Sequence, residues 1–338
     1  AIAEHLLRTG SAGQVEDIPG LRGNYRVRYR LPDPAPLVSI IVPTRDRVDL
    51  LRSCIESVLG ETSYAPFELI VGDNQSRERA TLDYLQSLAE EPRVRVVSYD
   101  QPFNYSRINN FAATQARGSV LCLLNNDITV ITPDWLGEMA SHACRPGVGA
   151  VGAMLYYPND SIQHAGVIIG AHGVAAHAYA GHMRGYPGHM GRARLAQEVS
   201  AVTAACLVVR REAFDAVGGL DPGLAVAFND IDFCLRLRAA GYRNIWTPFA
   251  EMYHHESATR GHENTQEKLA RFNREVMFMR RRWGHVHDPA YSRNHSLDEQ
   301  LFQLAFPPRA GTYADSLAGA PAVGTALIDT TTTTRKHG

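Results

Sequence analysis

From Leu37 onward the chain alternates short buried runs with amphipathic stretches. Leu37-Val38-Ser39-Ile40-Ile41-Val42 reads as a strand with no polar face, stopped by Pro43-Thr44-Arg45-Asp46. Residues 48–59 then carry Val48, Leu51, Cys54, Ile55, Val58 and Leu59 at helical spacing, with Gly60 as the stop. A second strand, Phe67 to Val71, ends in Gly72-Asp73-Asn74-Gln75-Ser76, and the helix after it sets Leu82, Leu85 and Leu88 on one face. Arg93 to Ser98 is a third strand, residues 106–117 a helix with Ile108, Phe111, Ala112 and Ala116 inward, and 119–124 a fourth strand. Thr132-Pro133-Asp134 announces the next helix with a cap, a proline and an acid. This alternation predicts a parallel sheet covered by helices on both faces.

The strand ends carry the chemistry. Asp46 follows the first strand, Asp73 the second and Asp127, in Asn125-Asn126-Asp127, the fourth. Parallel strands bring such ends to one edge of the sheet, where open α/β folds bind ligands. A carboxylate there can hold a divalent cation against phosphates; an Asn- and Asp-rich turn would also account for the residues. No GxGxxG follows a strand and no GxxxxGK[ST] is present, which argues against a dinucleotide fold and a P-loop enzyme.

The second half changes character near Val148, where a strand runs to Leu155. Residues 156–198 are rich in Gly and His; the spacing of His164, His172, His177, His182 and His189 suits a mobile loop over a cleft better than a metal cluster. Val199 to Val209 reads as a strand or hairpin. In Ala227-Phe228-Asn229-Asp230-Ile231-Asp232, Asn229 and Asp230 would cap a helix stopped at Gly241. A carboxylate at such a helix start can also take a proton from a hydroxyl, a role open to Asp230 and to Asp232. After the strand at Arg243–Thr247 come His254 and His255, either surface histidines or ligands beside a carboxylate-bound metal. Residues 262–283 predict a long helix with Leu269, Phe272, Val276, Met279 and Trp283 inward. Its Arg271, Arg274, Arg280, Arg281 and Arg282 form a solvated face, or one that touches anionic lipid.

Composition adds limits. The 338 residues are 45% hydrophobic and 20% charged with a net charge of −1, so there is no electrostatic footprint for nucleic acid. No apolar run reaches the ~20 residues that span a bilayer. Five Cys without a CxxC pair predict buried thiols, not disulfides or a zinc site. A soluble cytoplasmic chain without a signal peptide is expected, associated at most peripherally with the inner face of the plasma membrane. Its opening, which resembles the middle of a chain, points to one domain of a longer protein. Residues 1–36 read as an N-terminal extension, with an edge strand at Tyr25–Tyr29 and a linker at Pro32, Pro34 and Pro36. Residues 309–338 read as a low-complexity tail.

Four ordered landmarks carry a resemblance: Val38 to Thr44, Val71 to Ser76, Leu124 to Asp127 and Phe228 to Asp232. Together they resemble family-2 glycosyltransferases of the GT-A fold, over residues 37–261. Asn104 to Asn110, Gln163-His164-Ala165-Gly166 and His254 to Gly261 are similar to the rhamnosyltransferase-like branch that builds bacterial surface polysaccharides such as O-antigen. The resemblance implies a Rossmann-like, mostly parallel sheet with a nucleotide-binding half (37–130), an acceptor half (131–261) and a C-terminal helical segment (262–308). It implies that Pro43, Thr44, Arg45, Asp73, Asn110, Asn125 and Asn126 hold a nucleoside-diphosphate sugar, a UDP- or dTDP-sugar. Asp127 and His254 would bind Mn2+ or Mg2+, and Asp230 would be the general base for a hydroxyl of a glycan or lipid-linked glycan. Asn229, Asp232, His164 and His255 take acceptor or secondary roles. Asn125 stands where many family members carry Asp or Asn, so the site has less negative charge than a full DxD, and Asn229 replaces the family's Glu, a departure that also occurs in this branch. Met279, in place of the Gln of a processive QxxRW motif ending here at Arg282-Trp283, implies single-sugar transfer or a short repeat. An inactive sugar-nucleotide-binding module, kept open by the two Asn, and a nucleotidyltransferase are the competing expectations.

Overall fold

The computed structural model describes residues 1–255, 265–284, 287–298, 300–307 and 309. In chain order a short helix α1 (Ile2–Arg8) and a hairpin of β1 (Gly13–Asp17) and β2 (Tyr25–Tyr29) precede β3 (Val38–Thr44), α2 (Val48–Glu61), β4 (Phe67–Asp73), α3 (Arg79–Ser87) and β5 (Val94–Ser98). Next come α4 (Tyr105–Gln115), β6 (Val120–Leu124), β7 (Ile128–Val130), α5 (Trp135–Ala143) and β8 (Val148–Tyr156). The second half adds β9 (Ile162–His164), β10 (Val167–Ile169), β11 (Ala175–His177), β12 (Gln197–Val199), β13 (Cys206–Arg210), α6 (Arg211–Ala216), α7 (Asn229–Ala239), β14 (Arg243–His254) and α8 (Gln266–Trp283).

The main sheet has the order β12-β14-β8-β13-β6-β3-β4-β5. Strands β6, β3, β4 and β5 are parallel, as the alternation predicts. Between β6 and β8 lies β13, antiparallel to both. The sheet is therefore mixed, with β14 parallel to β8 beyond it. Every residue of β3, β6 and β8 is buried, which is why these stretches show no alternation. Two apolar clusters lie on the sheet's two sides, one around Leu51, Ile55, Trp135 and Met139, the other around Leu207, Phe214, Phe233 and Trp246. Gly152 on β8 is needed for a close approach: a Cβ there would lie 2.5 Å from the Val202 Cβ. That approach seats the segment leading through Thr203, Ala204 and Ala205 into β13.

Several local expectations need correction. Helix α2 passes through Gly60 to Glu61, since a helix with good packing tolerates one glycine. In α3 the buried face is Thr81, Tyr84 and Leu85, while Leu82 is exposed; three leucines three apart drift off the 3.6 period. Helix α5 starts at Trp135, too late for Thr132 to be its cap; Asp134, expected inside the first turn, precedes the helix and pairs with Arg28, 2.7 Å away. The hairpin β1–β2 packs on α5: Arg26 Nη2 lies 2.5 Å from Glu138 Oε2, and Glu138 also faces His142 and the Thr247 hydroxyl. Burial opposes ionisation of Glu138, but His142 and Arg26 outweigh it and hold this carboxyl down at about 2. Stretch 156–198 is not a loose loop but carries four strands, with 161–169 buried throughout. Cys54, Cys122, Cys206 and Cys234 are buried free thiols, and Cys144 is half-buried. No helix among the described residues is long and apolar enough to cross a membrane.

Candidate functional site

A cavity of about 880 Å³ opens where the parallel strands end. Its floor is the β3 end (Pro43, Thr44, Arg45) and the β6 end (Asn125, Asn126, Asp127). One wall comes from β9–β11 through Gln163, Val167, Ala175 and His177, another from Thr203 to Ala205, and a third from Val226 through Ile231. Phe103 and, on α4, Tyr105 and Ile108 also line it, as do His254 at the end of β14 and Lys268, Arg271 and Phe272 of α8. Asp127 and Asp230, about a hundred positions apart in sequence, thus face one space.

The β6 end is held rigidly. Asn126 donates from Nδ2 to Thr44 Oγ1 (3.0 Å), joining it to β3. The Asn125 amide N–H donates to Ala205 O (3.0 Å), and the Tyr105 hydroxyl donates to Ala204 O (3.0 Å), 3.2 Å from Asn125 Oδ1. The His255 N–H donates to Asp127 O (2.9 Å). Asp127 and His254 are both buried, and the His254 Nε2 lies 3.1 Å from Asp127 Oδ1 and 3.3 Å from Asn125 Nδ2. On its other side His254 Nδ1 donates to Gln163 Oε1 (2.8 Å). With the proton on Nδ1, the Nε2 lone pair faces a carboxylate oxygen, an arrangement of two acceptors that a cation between them stabilises. The donor set therefore fits a divalent ion. Among the described residues no group of three or more His, Cys, Asp or Glu gathers for a metal, so Asp127 and His254 would supply two ligands and substrate oxygens or water the rest.

Asp230 is held from two sides. Its Oδ2 accepts from Ala204 N (3.0 Å) and its Oδ1 from Ile231 N (2.8 Å). The expected capping is absent: α7 starts at Asn229, and Phe228 before it has φ 62°, a left-handed conformation costly for an aromatic residue. Such strain persists where the surroundings over-determine it, and it aims Asp230 at the cavity. Asn229 is buried and donates from Nδ2 to Val226 O (2.9 Å), bracing that turn.

Other expected site residues lie elsewhere. Asp73, at the β4 end beside Thr44, accepts from Ser76 N (3.1 Å) and is outside the cavity lining. Asn110 is engaged by both ends of its amide with Leu220, donating to its carbonyl (2.7 Å) and accepting from its N–H (2.9 Å), so it latches a loop instead of facing the cavity. Asp232 is fully buried on the opposite side of α7, accepting from Arg236 (2.7 Å), Arg282 (2.9 Å) and Trp283 (3.0 Å). This ties Arg282-Trp283 to the fold and leaves Asp232 no access to an acceptor. Asp232→Asn is expected to lower unfolding stability by about 2 kcal/mol, since it leaves the half-buried Arg236 without its charge partner and Arg282 with Asp221 alone. Urea denaturation checks this; unchanged stability would mean the cluster is only a surface pairing. His164 is fully buried behind the wall, packed edge-on at 4.8 Å against His177, and burial holds its imidazole well below the usual range. His255 turns to the Thr129 hydroxyl (3.3 Å), away from the cavity. Of the stretch 254–261, residues 256–261 lie outside the described residues, as does the tail 310–338.

Gln163, His177, Lys268 and Arg271 line the cavity without having been read as site residues. His177 was one of five scattered histidines, and Lys268 and Arg271 belonged to a basic face; a hairpin fold and a helix docking decide which of them turn inward.

The family model described as "Glycosyl transferase family 2" matches residues 39–218. An uncharacterized protein of Sinorhizobium fredii is 53% identical over 315 residues, 91% of this chain and 34% of its own length. The O-antigen biosynthesis protein RfbC of Myxococcus xanthus is 41% identical over 261 residues, 77% of this chain and 20% of its own. The chain thus spans about a third and a fifth of these relatives. Among solved structures, the mannosyltransferase PcManGT from Pyrobaculum calidifontis, in complex with GDP-Man and Mn2+, superposes with a TM-score of 0.54 at 19% identity, covering 75% of this chain and 66% of that one. That likeness shows the GT-A fold.

Proposed function

Because the chain belongs to glycosyl transferase family 2, we propose that it transfers a sugar from a UDP- or dTDP-sugar to a hydroxyl of a growing bacterial surface glycan, free or lipid-linked, with inversion. The observation that carries this reading is the convergence of Asp127 and Asp230 on one cavity floored by Pro43, Thr44 and Arg45. The reading takes residues 37–261 as the transferase unit, and the relative RfbC, an O-antigen biosynthesis protein, supports the class of product.

In this reading the β3 end and Asn126 seat the nucleotide. Asp127 and His254 hold Mn2+ or Mg2+; when bound, the ion offsets negative charge on the departing diphosphate. Gln163 keeps the His254 lone pair turned toward that position. Asp230 accepts the proton of the acceptor hydroxyl as that oxygen attacks the anomeric carbon from the face opposite the leaving group, a single displacement. The Ala204 and Ile231 N–H groups fix the carboxylate while it does so. A nucleotidyltransferase would have no use for a second carboxylate aimed at an alcohol across the cavity from the first.

The test is a panel of UDP-, dTDP- and GDP-sugars, scored for binding and for slow release of nucleoside diphosphate with and without Mn2+. Metal-dependent binding and release with one donor class is expected. Binding that no acceptor converts into turnover would favour an inactive binding module, and no binding to any donor would sink the proposal.

A further inference from the structure

On the reading of Asp230 as the general base, on which this inference rests, we propose that Glu275 of α8 is its positioning residue. The Glu275 carboxylate sets the strap from which Asp230 enters the cavity, and so makes the C-terminal helix part of the catalytic unit.

Glu275 is buried, and its carboxylate is engaged with backbone. It accepts three successive N–H groups, from Ala225 (2.8 Å), Val226 (2.9 Å) and Ala227 (3.1 Å). Successive N–H groups turned to one side form a concavity for an anion, and here the chain supplies that anion itself. Arg271, one turn earlier on α8, brings the opposite charge to 3.8 Å from Glu275 Oε2. The same strap is gripped from α4, where the Tyr105 N–H donates to Ala225 O (2.9 Å) and the Ser106 hydroxyl to Leu224 O (2.6 Å). Two helices therefore fix it just ahead of the base.

The strap leads into Phe228, whose φ of 62° an aromatic residue adopts only under constraint. The Phe228 ring lies 5.5 Å from that of Phe272, again on α8. Beyond Asp230 the chain is tied to α8 a second time, where Asp232 accepts from Arg282 and Trp283. Asp230 makes no hydrogen bond or ion pair with α8 among the described residues; Ala204 N–H and Ile231 N–H hold its carboxylate. The helix thus acts on the base through the backbone, from both sides of it.

The two tethers carry different loads. Asp232 is the centre of a buried charge cluster, so its loss is felt first in stability. Glu275 instead holds a segment that lines the cavity at Val226 and Ala227. Water entering from the cleft can satisfy those N–H groups once the carboxylate is gone, so the fold survives. Phe228 is then free to relax its backbone and to carry Asp230 off its position. A displacement of about 1 Å at a reacting group can cost on the order of 10²-fold in rate.

The experiment uses the full chain and compares wild type with Glu275→Ala and with Glu275→Gln, which keeps one acceptor oxygen. Each substitution is also made on the Asp230→Asn background. Amide hydrogen exchange, followed by nuclear magnetic resonance, needs no substrate. Its informative probe is the Ala204 N–H, which lies on the segment before β13 and is satisfied by the Asp230 carboxylate. In Glu275→Ala, exchange at Ala225 to Ala227 and at Ala204 is expected to quicken by about tenfold or more, with β3 and β6 unaffected and a smaller change in Glu275→Gln. The kcat of Glu275→Ala should fall by about 10²-fold, with donor KM within about twofold of wild type. On the Asp230→Asn background the same substitution should lower kcat by less than about threefold, since nothing is left to position. Faster exchange at Ala225 to Ala227 with Ala204 unchanged would make Glu275 a structural tie and overturn the proposal. Equal losses of kcat on both backgrounds, or exchange quickened throughout the sheet, would overturn it too. Wild type that turns over no donor, with Ala204 still exchanging faster in the variants, would keep the tether to Asp230 and sink the glycosyltransferase reading.

Discussion

Asp230→Asn is expected to lower turnover by about 10²- to 10⁴-fold, the range over which a positioned general base contributes, while donor affinity stays within about twofold. The substitution is isosteric, and its remaining oxygen can still accept from Ala204 N–H or Ile231 N–H, so the strained turn at Phe228 keeps most of its support. What it removes is the lone pair and charge that take the acceptor proton. A purely structural Asp230 predicts another pattern: turnover near wild type, with a lower melting temperature from one weakened hydrogen bond. The measurement is kcat and donor KM on the same preparation, with thermal melting alongside. A fall confined to kcat supports the base. A fall in kcat that tracks donor affinity would mean that Asp230 holds the donor instead.

The strand ends were legible because burial and chemistry meet at a sharp boundary there. Runs such as Leu121 to Leu124 contain no polar residue until Asn125, and a parallel sheet sends all such boundaries to one edge. Pattern alone therefore brings the ends of the first and fourth strands to one edge, but of the three carboxylates it sets there only Asp127 lines the cavity, while Asp46 accepts from the Arg77 and Glu78 N–H groups and Asp73 from Ser76 N. Asp230 and Asp232 were not separable in this way. They lie two positions apart, which on a helix turns side chains to opposite faces: one enters the cavity, the other meets Arg236, Arg282 and Trp283. That difference depends on where α8 docks, some fifty residues later. Asn110 was drawn into the site by its landmark, but its amide matches the Leu220 backbone as both donor and acceptor, a pairing no local pattern encodes. The wall from β9 to β11 was hidden for a related reason. Its strands are three residues each, too short for a period to show, and Gly-rich joints interrupt them. The antiparallel placement of β13 was equally invisible, since strand direction within a mixed sheet is set by the connections and not by the strand's own residues.

Asp127→Asn is expected to abolish the dependence of donor binding on Mn2+ and to lower turnover by on the order of 10³-fold, the scale of losing an electrostatic stabiliser of the leaving group. The buried pair explains why the effect should be so large for one oxygen. His254 Nε2 is directed at the carboxylate, 3.1 Å away, by the Gln163 contact on the far side of the ring. Asn125, standing nearby in place of a second carboxylate, contributes dipole but no charge. Asp127 therefore carries the anionic share of the protein's donor set. With an amide in its place the site keeps its shape, because the contact that anchors the turn is His255 N–H to the Asp127 backbone carbonyl, which the substitution leaves alone. Manganese binding followed by electron paramagnetic resonance, with UDP or dTDP present, separates this from a general loss of structure. Free Mn2+ should persist at concentrations where wild type depletes it, while the melting temperature moves little. His254→Ala should shift the same titration in the same direction by a smaller factor, having removed a neutral ligand. An Asp127→Asn variant that takes up manganese like wild type would show that the ion, if used at all, is held elsewhere in the cleft.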